Sequence, residues 1–560
     1  MSGLTVSCKP YGFGAKRENV SLLLRFGSYR FLLDCGFDPG QMQAMDDVES
    51  LDPQLSKIHG VLCSHAHPAQ VQGLPSFLQQ FPHIPIYSSE ITAQLLPLLW
   101  SRESLNWSAL HPLPWRSALQ VRSDLTLELW PAGHIPGAAL MLLTYTPPSL
   151  PGDPPSRPYT VLYTGDCALA HSRFTEGLPL AELRGLRPDV LIVDGFGGTS
   201  RYGRRRQQEI ALLSGVEQSL QEGRSLIFPV SLWGQGQEIL LLLKTHAPLA
   251  EQRISIWVDP EFAAGCDQYG KLLSELPTTI QNLARHQSLF WENDRFPRVK
   301  RVRPDQNLEP QPIILFVRHD RDWTPYLSLL QRWDLWLPID REGDDPTLAD
   351  WLPSETIVPL GDLQQELNRG NSRLKTYSLQ EHCDGIATTQ LIHNLRAQNI
   401  LFIGGQSDRL AELAALEELS SRYHLHLPAV GKTTEFPVGD TFFQPPTPET
   451  TYEADLQEDA SGAWLPFPPD LVQDPRWQRL ADTGIVHVRW QGDELVLRGL
   501  SGRELVNRDL LNRDRFSTTQ LDIQNCGTCR YYRGQRCWNQ TSPLQGFKVS
   551  PEGYCPHYDL

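Results

Sequence analysis

Long apolar stretches are lacking. The longest run of Leu, Ile and Val is Ile239 to Leu243, against the roughly 20 residues of a spanning helix. Met1 to Val6 has neither the basic stretch nor the apolar segment of a secretory leader, so a soluble, cytoplasmic protein with no membrane partner is expected. Basic charge is scarce too: 50 Lys and Arg against 65 Asp and Glu leave a net charge of −15, which argues against a sequence-blind nucleic-acid binder. Local basic clusters at Arg201 to Arg206 and Arg295 to Arg303 leave room for a local channel, although solvated surface is the plainer reading. Nor do the ten cysteines form a disulfide framework. Six are scattered singly (Cys8, Cys35, Cys63, Cys167, Cys266, Cys383), which reads as reduced core thiols, and four crowd the last 35 residues.

What is present is globular: 40% hydrophobic and 21% charged residues in 560, enough for a sizeable core and for about three or four domains. The chain is organised around Val61-Leu62-Cys63-Ser64-His65-Ala66-His67-Pro68-Ala69-Gln70-Val71-Gln72-Gly73-Leu74-Pro75. An apolar run that reads as a buried strand ends in His-x-His, and a helix-like segment follows. Two imidazoles from one loop can face one cation, and neutral imidazole is a common zinc ligand; taken alone, the pair fits surface or turn chemistry as well.

Three further strand-like runs end in acids or histidines. Residues 18 to 34 read as paired strands turning at Gly27-Ser28 and closing on Asp34-Cys35-Gly36. Leu125 to Trp130 runs into Pro131-Ala132-Gly133-His134-Ile135-Pro136-Gly137, a histidine fixed between glycines. Thr160 to Tyr163 runs into Thr164-Gly165-Asp166. Each Asp could equally be an ordinary turn residue.

Together these segments resemble the metallo-β-lactamase fold, whose signature loop reads Ser/Thr-His-x-His-x-Asp-His-x-x-Gly-x-Leu-Pro. Ser64, His65, His67, Gly73, Leu74 and Pro75 match in order, with small shifts in spacing, while Ala69 and Gln70 stand where the family has an aspartate and a third histidine. Val190 to Asp194 followed by Gly195-Phe196-Gly197, and Gly234-Gln235-Gly236-Gln237-Glu238-Ile239-Leu240-Leu241, are similar to segments of the β-CASP nucleases, a group that includes ribonuclease J and the pre-mRNA 3′-end processing endonuclease. Leu379-Gln380-Glu381-His382-Cys383-Asp384 is similar to their Ser-x-His-x-Asp, with Gln380 in place of the serine; Gly404-Gly405-Gln406 stands in place of His-Gly-Glu.

The resemblance implies an α/β architecture: a metallo-β-lactamase αββα sandwich over 1–205 and 379–440, with a β-CASP cap inserted at 206–378. A linker and small β-rich segment (441–515), including a hairpin over 484–500, and a four-cysteine segment (516–560) would follow. His424 to Phe436 resembles a closing hairpin. In the family one metal takes His65, His67 and His134 of this chain, and Asp166 bridges to the second; Asp34 supports the loop from behind, and His382 is the general acid with Asp194 as its partner. The three substitutions, at Ala69, Gln70 and Gly404, all fall on the second metal. One zinc remains feasible, since three imidazoles and a carboxylate suffice.

In the tail, Cys526, Cys529, Cys537 and Cys555 supply four thiolates in a segment too small to fold on its own core. Zinc is the commoner occupant of such a knuckle; an iron-sulfur cluster also suits the aromatic wrapping, and two disulfides are a third reading. Two functions stand level: a one-zinc hydrolase acting on RNA, or an inactive relative serving as an RNA- or protein-binding scaffold, either of them able to work as a homo-oligomer or within a complex. A redox role for a clustered tail is a third class.

Overall fold

The computed structural model describes residues 5–13, 19–37, 57–101, 103–148, 156–302, 308, 312–339 and 372–438, with short strands and a flanking turn between 457 and 537. The chain divides into two compact units, Met1–Pro448 and Glu449–Leu560.

Two seven-stranded sheets form the body of the first unit. In the first the order is Thr434–Phe436, Val6–Phe13, Val20–Phe26, Tyr29–Leu33, Gly60–Leu62, Ile86–Ser89, Leu110–Leu113; in the second it is His424–His426, Asn399–Ile403, Val190–Asp194, Tyr159–Tyr163, Ala139–Tyr145, Leu125–Pro131, Leu119–Arg122. Aromatic side chains meet across the gap: Tyr145 lies 5.7 Å from Phe26 and 5.9 Å from Tyr29. Helices cover the outer faces, Glu90–Leu99 beside Leu110–Leu113 and Ser407–Ala414 beside Asn399–Ile403. A central strand is therefore covered on both sides, which explains why Val190–Asp194 and Asn399–Ile403 are buried at every position rather than alternating. Each fully buried Leu, Ile or Val contributes about 1.5–3 kcal/mol.

A third sheet of six strands, all parallel, has the order Arg298–Arg301, Ser255–Val258, Ile313–Arg318, Ser225–Val230, Trp333–Pro338, Ser372–Tyr377. It is spliced between two neighbours of the second sheet. The chain leaves that sheet after Asp194 and returns in Asn399–Ile403, which pairs with Val190–Asp194 in parallel. The same splice brings Leu379 to Asp384 back against the sandwich: Cys383 N–H donates to the Cys167 carbonyl (2.8 Å).

The closing hairpin expected over His424 to Phe436 does not form. His424–His426 pairs in parallel with Asn399–Leu401, while Thr434–Phe436 pairs antiparallel with Val6–Cys8. The two short strands finish the edges of different sheets, each finding an unpaired backbone ladder there. In the second unit, Val486–Gln491 and Glu494–Gly499 form the antiparallel hairpin expected over 484–500. Cys526, Cys529 and Cys555 lie outside the described residues, and only the backbone of Cys537 is described, in the strand Arg536–Cys537.

Candidate metal centre

Short loops at the ends of strands from both sheets carry the candidate residues to one point. His65 and His67 follow Gly60–Leu62, His134 follows Leu125–Pro131, and Asp166 follows Tyr159–Tyr163. The loop at His134 depends on Gly133, whose φ is +80° and where a Cβ would lie 2.3 Å from the Ala168 carbonyl. His65 Nε2 lies 3.2 Å from His67 Nδ1, which lies 3.1 Å from His134 Nε2. Asp166 Oδ2 is 3.4 Å from His65 Nε2 and 3.8 Å from His134 Nε2. A tetrahedron with metal–ligand bonds of about 2.1 Å has edges of about 3.4 Å.

The outward ring atoms fix which nitrogens bear protons. His134 Nδ1 faces the Glu381 carbonyl at 2.8 Å, and His67 Nε2 faces the Trp233 carbonyl at 3.3 Å. A carbonyl only accepts, so each of these nitrogens is N–H and the inward nitrogen of each ring presents a lone pair. His65 Nδ1 lies 3.0 Å from Ser64 Oγ, which itself donates to Asp34 Oδ2 at 2.7 Å. Burial first, then neighbouring histidines, pushes His67 down to about 3 and His134 well below the usual histidine range. Neutral rings with lone pairs aimed at each other over 3.1–3.2 Å repel; a cation between them turns that repulsion into ligation. The residues fit a divalent metal ion.

Asp34 is fully buried with φ +54°, a conformation that Asp tolerates better than most residues. Its carboxylate accepts from Ser64 N (2.6 Å), Ser64 Oγ (2.7 Å) and Tyr163 OH (2.5 Å). Burial pushes it up to about 6 against these bonds. It reaches His65 through the Ser64 hydroxyl.

On the other side of Asp166, His382 Nδ1 lies 2.8 Å from Asp194 Oδ2, and its ring stacks on Phe196 at 4.3 Å. Burial opposes charge on His382, but Asp194 outweighs it and raises the ring to about 10. We place the proton of this pair on His382, because Asp194 also accepts N–H bonds from Phe196 (2.9 Å) and Cys167 (3.4 Å), which favour the anion.

The substituted positions are remade rather than empty. Gln70 is 3% exposed and donates Nε2–H to Asp166 Oδ2 at 3.1 Å. Gly404 has φ +71°, and a Cβ there would lie 2.9 Å from Asp194 Oδ1. Of the first basic cluster, Arg205 turns inward to the Gln380 carbonyl (2.7 Å) and Glu238 (2.8 Å), lining a small cleft beside His134; Arg201, Arg204 and Arg206 are exposed. In the second, Arg301 pairs with Asp267. Ser64 as the bridge, Tyr163 as a holder of Asp34 and the two carbonyls that fix the ring tautomers are roles the sequence did not reveal. A backbone carbonyl has no residue signature, and Tyr163 reads as one more strand residue.

Comparison with known proteins agrees with this architecture. Residues 29–204 match the beta-lactamase superfamily domain. An uncharacterized protein, sll0514 of Synechocystis, is 39% identical across 99% of this chain and 97% of its own. The probable RNase MJ4 of Methanocaldococcus jannaschii is 27% identical over 39% of this chain and 51% of its own length, and ribonuclease TTHA0252 of Thermus thermophilus is 27% identical over 48% and 61%. The chain thus spans about half to three fifths of these two ribonucleases. This chain's sandwich bears its histidines on strand-end loops and is interrupted by a parallel α/β insert, and the chain belongs to the β-CASP group of the metallo-β-lactamase superfamily.

Proposed function

We propose that this chain is a metal-dependent hydrolase of RNA phosphodiesters that works with a single zinc. The observation that carries the reading is the set of three inward imidazole lone pairs and one carboxylate oxygen, mutually 3.1–3.8 Å apart where they face one another. A zinc held by His65, His67, His134 and Asp166 would supply Lewis-acid charge to the phosphoryl oxygens and to the attacking water. The chain's own residues do the rest. Asp34, through Ser64, holds His65 in the tautomer that faces the cation. Glu381 and Trp233 do the same for His134 and His67 through their carbonyls. His382 has its Nδ1 engaged by Asp194, so the proton at Nε2 is the one available to the leaving oxygen.

The scaffold reading is less well supported, because a charged imidazole paired with a buried carboxylate costs stability and serves no purpose in a face that only binds. The ribonucleases among the relatives support RNA as substrate. The tail cysteines, Cys526, Cys529, Cys537 and Cys555, are assigned by their spacing to a separate zinc or iron-sulfur site. Work within a protein complex or a homo-oligomer is compatible with this reading. Among the described residues no helix is long and apolar enough to cross a membrane.

The test is elemental analysis of the full chain beside a His65→Ala/His67→Ala variant, with cleavage of single-stranded RNA followed in parallel. One zinc equivalent and all cleavage should disappear together in the variant. Equal zinc in both proteins would refute the core site.

A further inference from the structure

We propose that Gln70 is a positioning residue that takes over, with one amide N–H, the task a second cation performs in a two-metal centre: holding the Asp166 carboxylate toward His65, His67 and His134. The inference rests on the single-zinc reading above. Asp166 Oδ2 is the oxygen that faces His65 and His134, and the same oxygen accepts the hydrogen bond from Gln70 Nε2 at 3.1 Å. The opposite amide orientation would set two acceptors against each other, so the contact itself assigns the nitrogen.

Gln70 is placed rigidly. It lies in the short helix Pro68–Val71, its N–H donates to the His67 carbonyl at 3.0 Å and its own carbonyl accepts from Cys35 N–H at 2.7 Å. The amide is therefore tied through the backbone both to the histidine loop and to the segment after Asp34. Its Oε1 is buried without a hydrogen-bond partner. A buried unpaired acceptor is costly, so packing alone would be served better by an apolar side chain of the same length; the amide is explained by its donor. A hydrogen bond to a ligating carboxylate fixes its direction and typically changes metal affinity by about 10- to 100-fold.

The experiment is a zinc titration of the apo full-length protein against a chromophoric chelator, for wild type, Gln70→Leu and His65→Ala/His67→Ala, with the thermal midpoint of each apo protein measured alongside. The core step is the one that the double histidine variant lacks. Gln70→Leu should keep that step at one equivalent and weaken it by about 10- to 100-fold, while the apo protein still unfolds in one cooperative transition. A wild-type core step that Gln70→Leu leaves within about twofold overturns the role of Gln70 while the single-zinc reading stands. A Gln70→Leu apo protein that no longer unfolds cooperatively also overturns it, because Gln70 is then a packing residue. A wild-type protein with no core step sinks the single-zinc reading itself.

Discussion

His382 Nδ1 lies 2.8 Å from Asp194 Oδ2, although 188 residues separate the two. The whole third sheet is threaded between them, so the contact joins the segment that leaves for the insert to the segment that returns from it. The carboxylate holds the Nδ1 edge of the imidazole while Phe196 stacks against its face. If His382 supplies the proton to the leaving oxygen, His382→Ala should lower kcat for RNA cleavage by about 10²- to 10⁴-fold and leave the zinc content unchanged. Asp194→Asn should act in the same direction by a smaller factor. Single-turnover cleavage with parallel elemental analysis checks this; loss of zinc in His382→Ala would mark the ring as a ligand instead.

Asp34 takes three buried hydrogen bonds, two from Ser64 and one from Tyr163. Asp34→Ala strands all three donors, at about 1–3 kcal/mol each, and frees the ring of His65 to turn. The expected result is a thermal midpoint many degrees lower together with zinc affinity weakened by about 10- to 100-fold. Asp34→Asn, which tolerates the same positive φ, should recover most of the stability and only part of the affinity. Equal affinity in wild type and Asp34→Ala would remove Asp34 from the metal centre.

Much of this was legible in the residues. The hairpin at Gly27-Ser28, the strand ends at His65, His134, Asp166 and Asp194, and the helix starting near Gln235 all carry local signals: apolar runs closed by glycine and a polar residue. Less legible was whatever depends on pairing across distance. His424 to Phe436 resembles the family's closing hairpin, yet each of its short strands joins a different sheet edge, which only the assembled sandwich provides. The same limit hid Gln70, whose partner is 96 residues away.

Gly404 gives a third prediction. Its backbone is left-handed, and a Cβ at this position would lie 2.9 Å from Asp194 Oδ1, so a histidine there requires that carboxylate to shift. Gly404→His should cost about 1–2 kcal/mol from the backbone alone, and the triple change Ala69→Asp/Gln70→His/Gly404→His should still bind one zinc in the core. A second core equivalent in the triple variant would mean that this loop rearranges freely.

The last prediction concerns the inserted sheet. Asp334, fully buried on Trp333–Pro338, is gripped by Arg224, itself 2% exposed, and by Arg373 through Nε (3.0 Å) and Nη2 (2.9 Å). Burial pushes the Asp334 carboxyl up, but the hydrogen bonds from Arg373 and Arg224 outweigh it and hold the group below its ordinary range. Removing one partner of a buried pair leaves uncompensated charge, so Asp334→Asn should cost about 3–5 kcal/mol at neutral pH. Because the folded-state value is depressed, the stabilisation is fully present above the unfolded carboxyl value of about 3.9 and is lost as pH falls through the folded value. The difference in unfolding midpoint between wild type and Asp334→Asn should therefore stay constant from about pH 8 to pH 5 and shrink below about pH 4. A difference that instead grew on acidification would mean that the carboxyl is protonated more readily in the folded protein, and that the two arginines do not outweigh its burial.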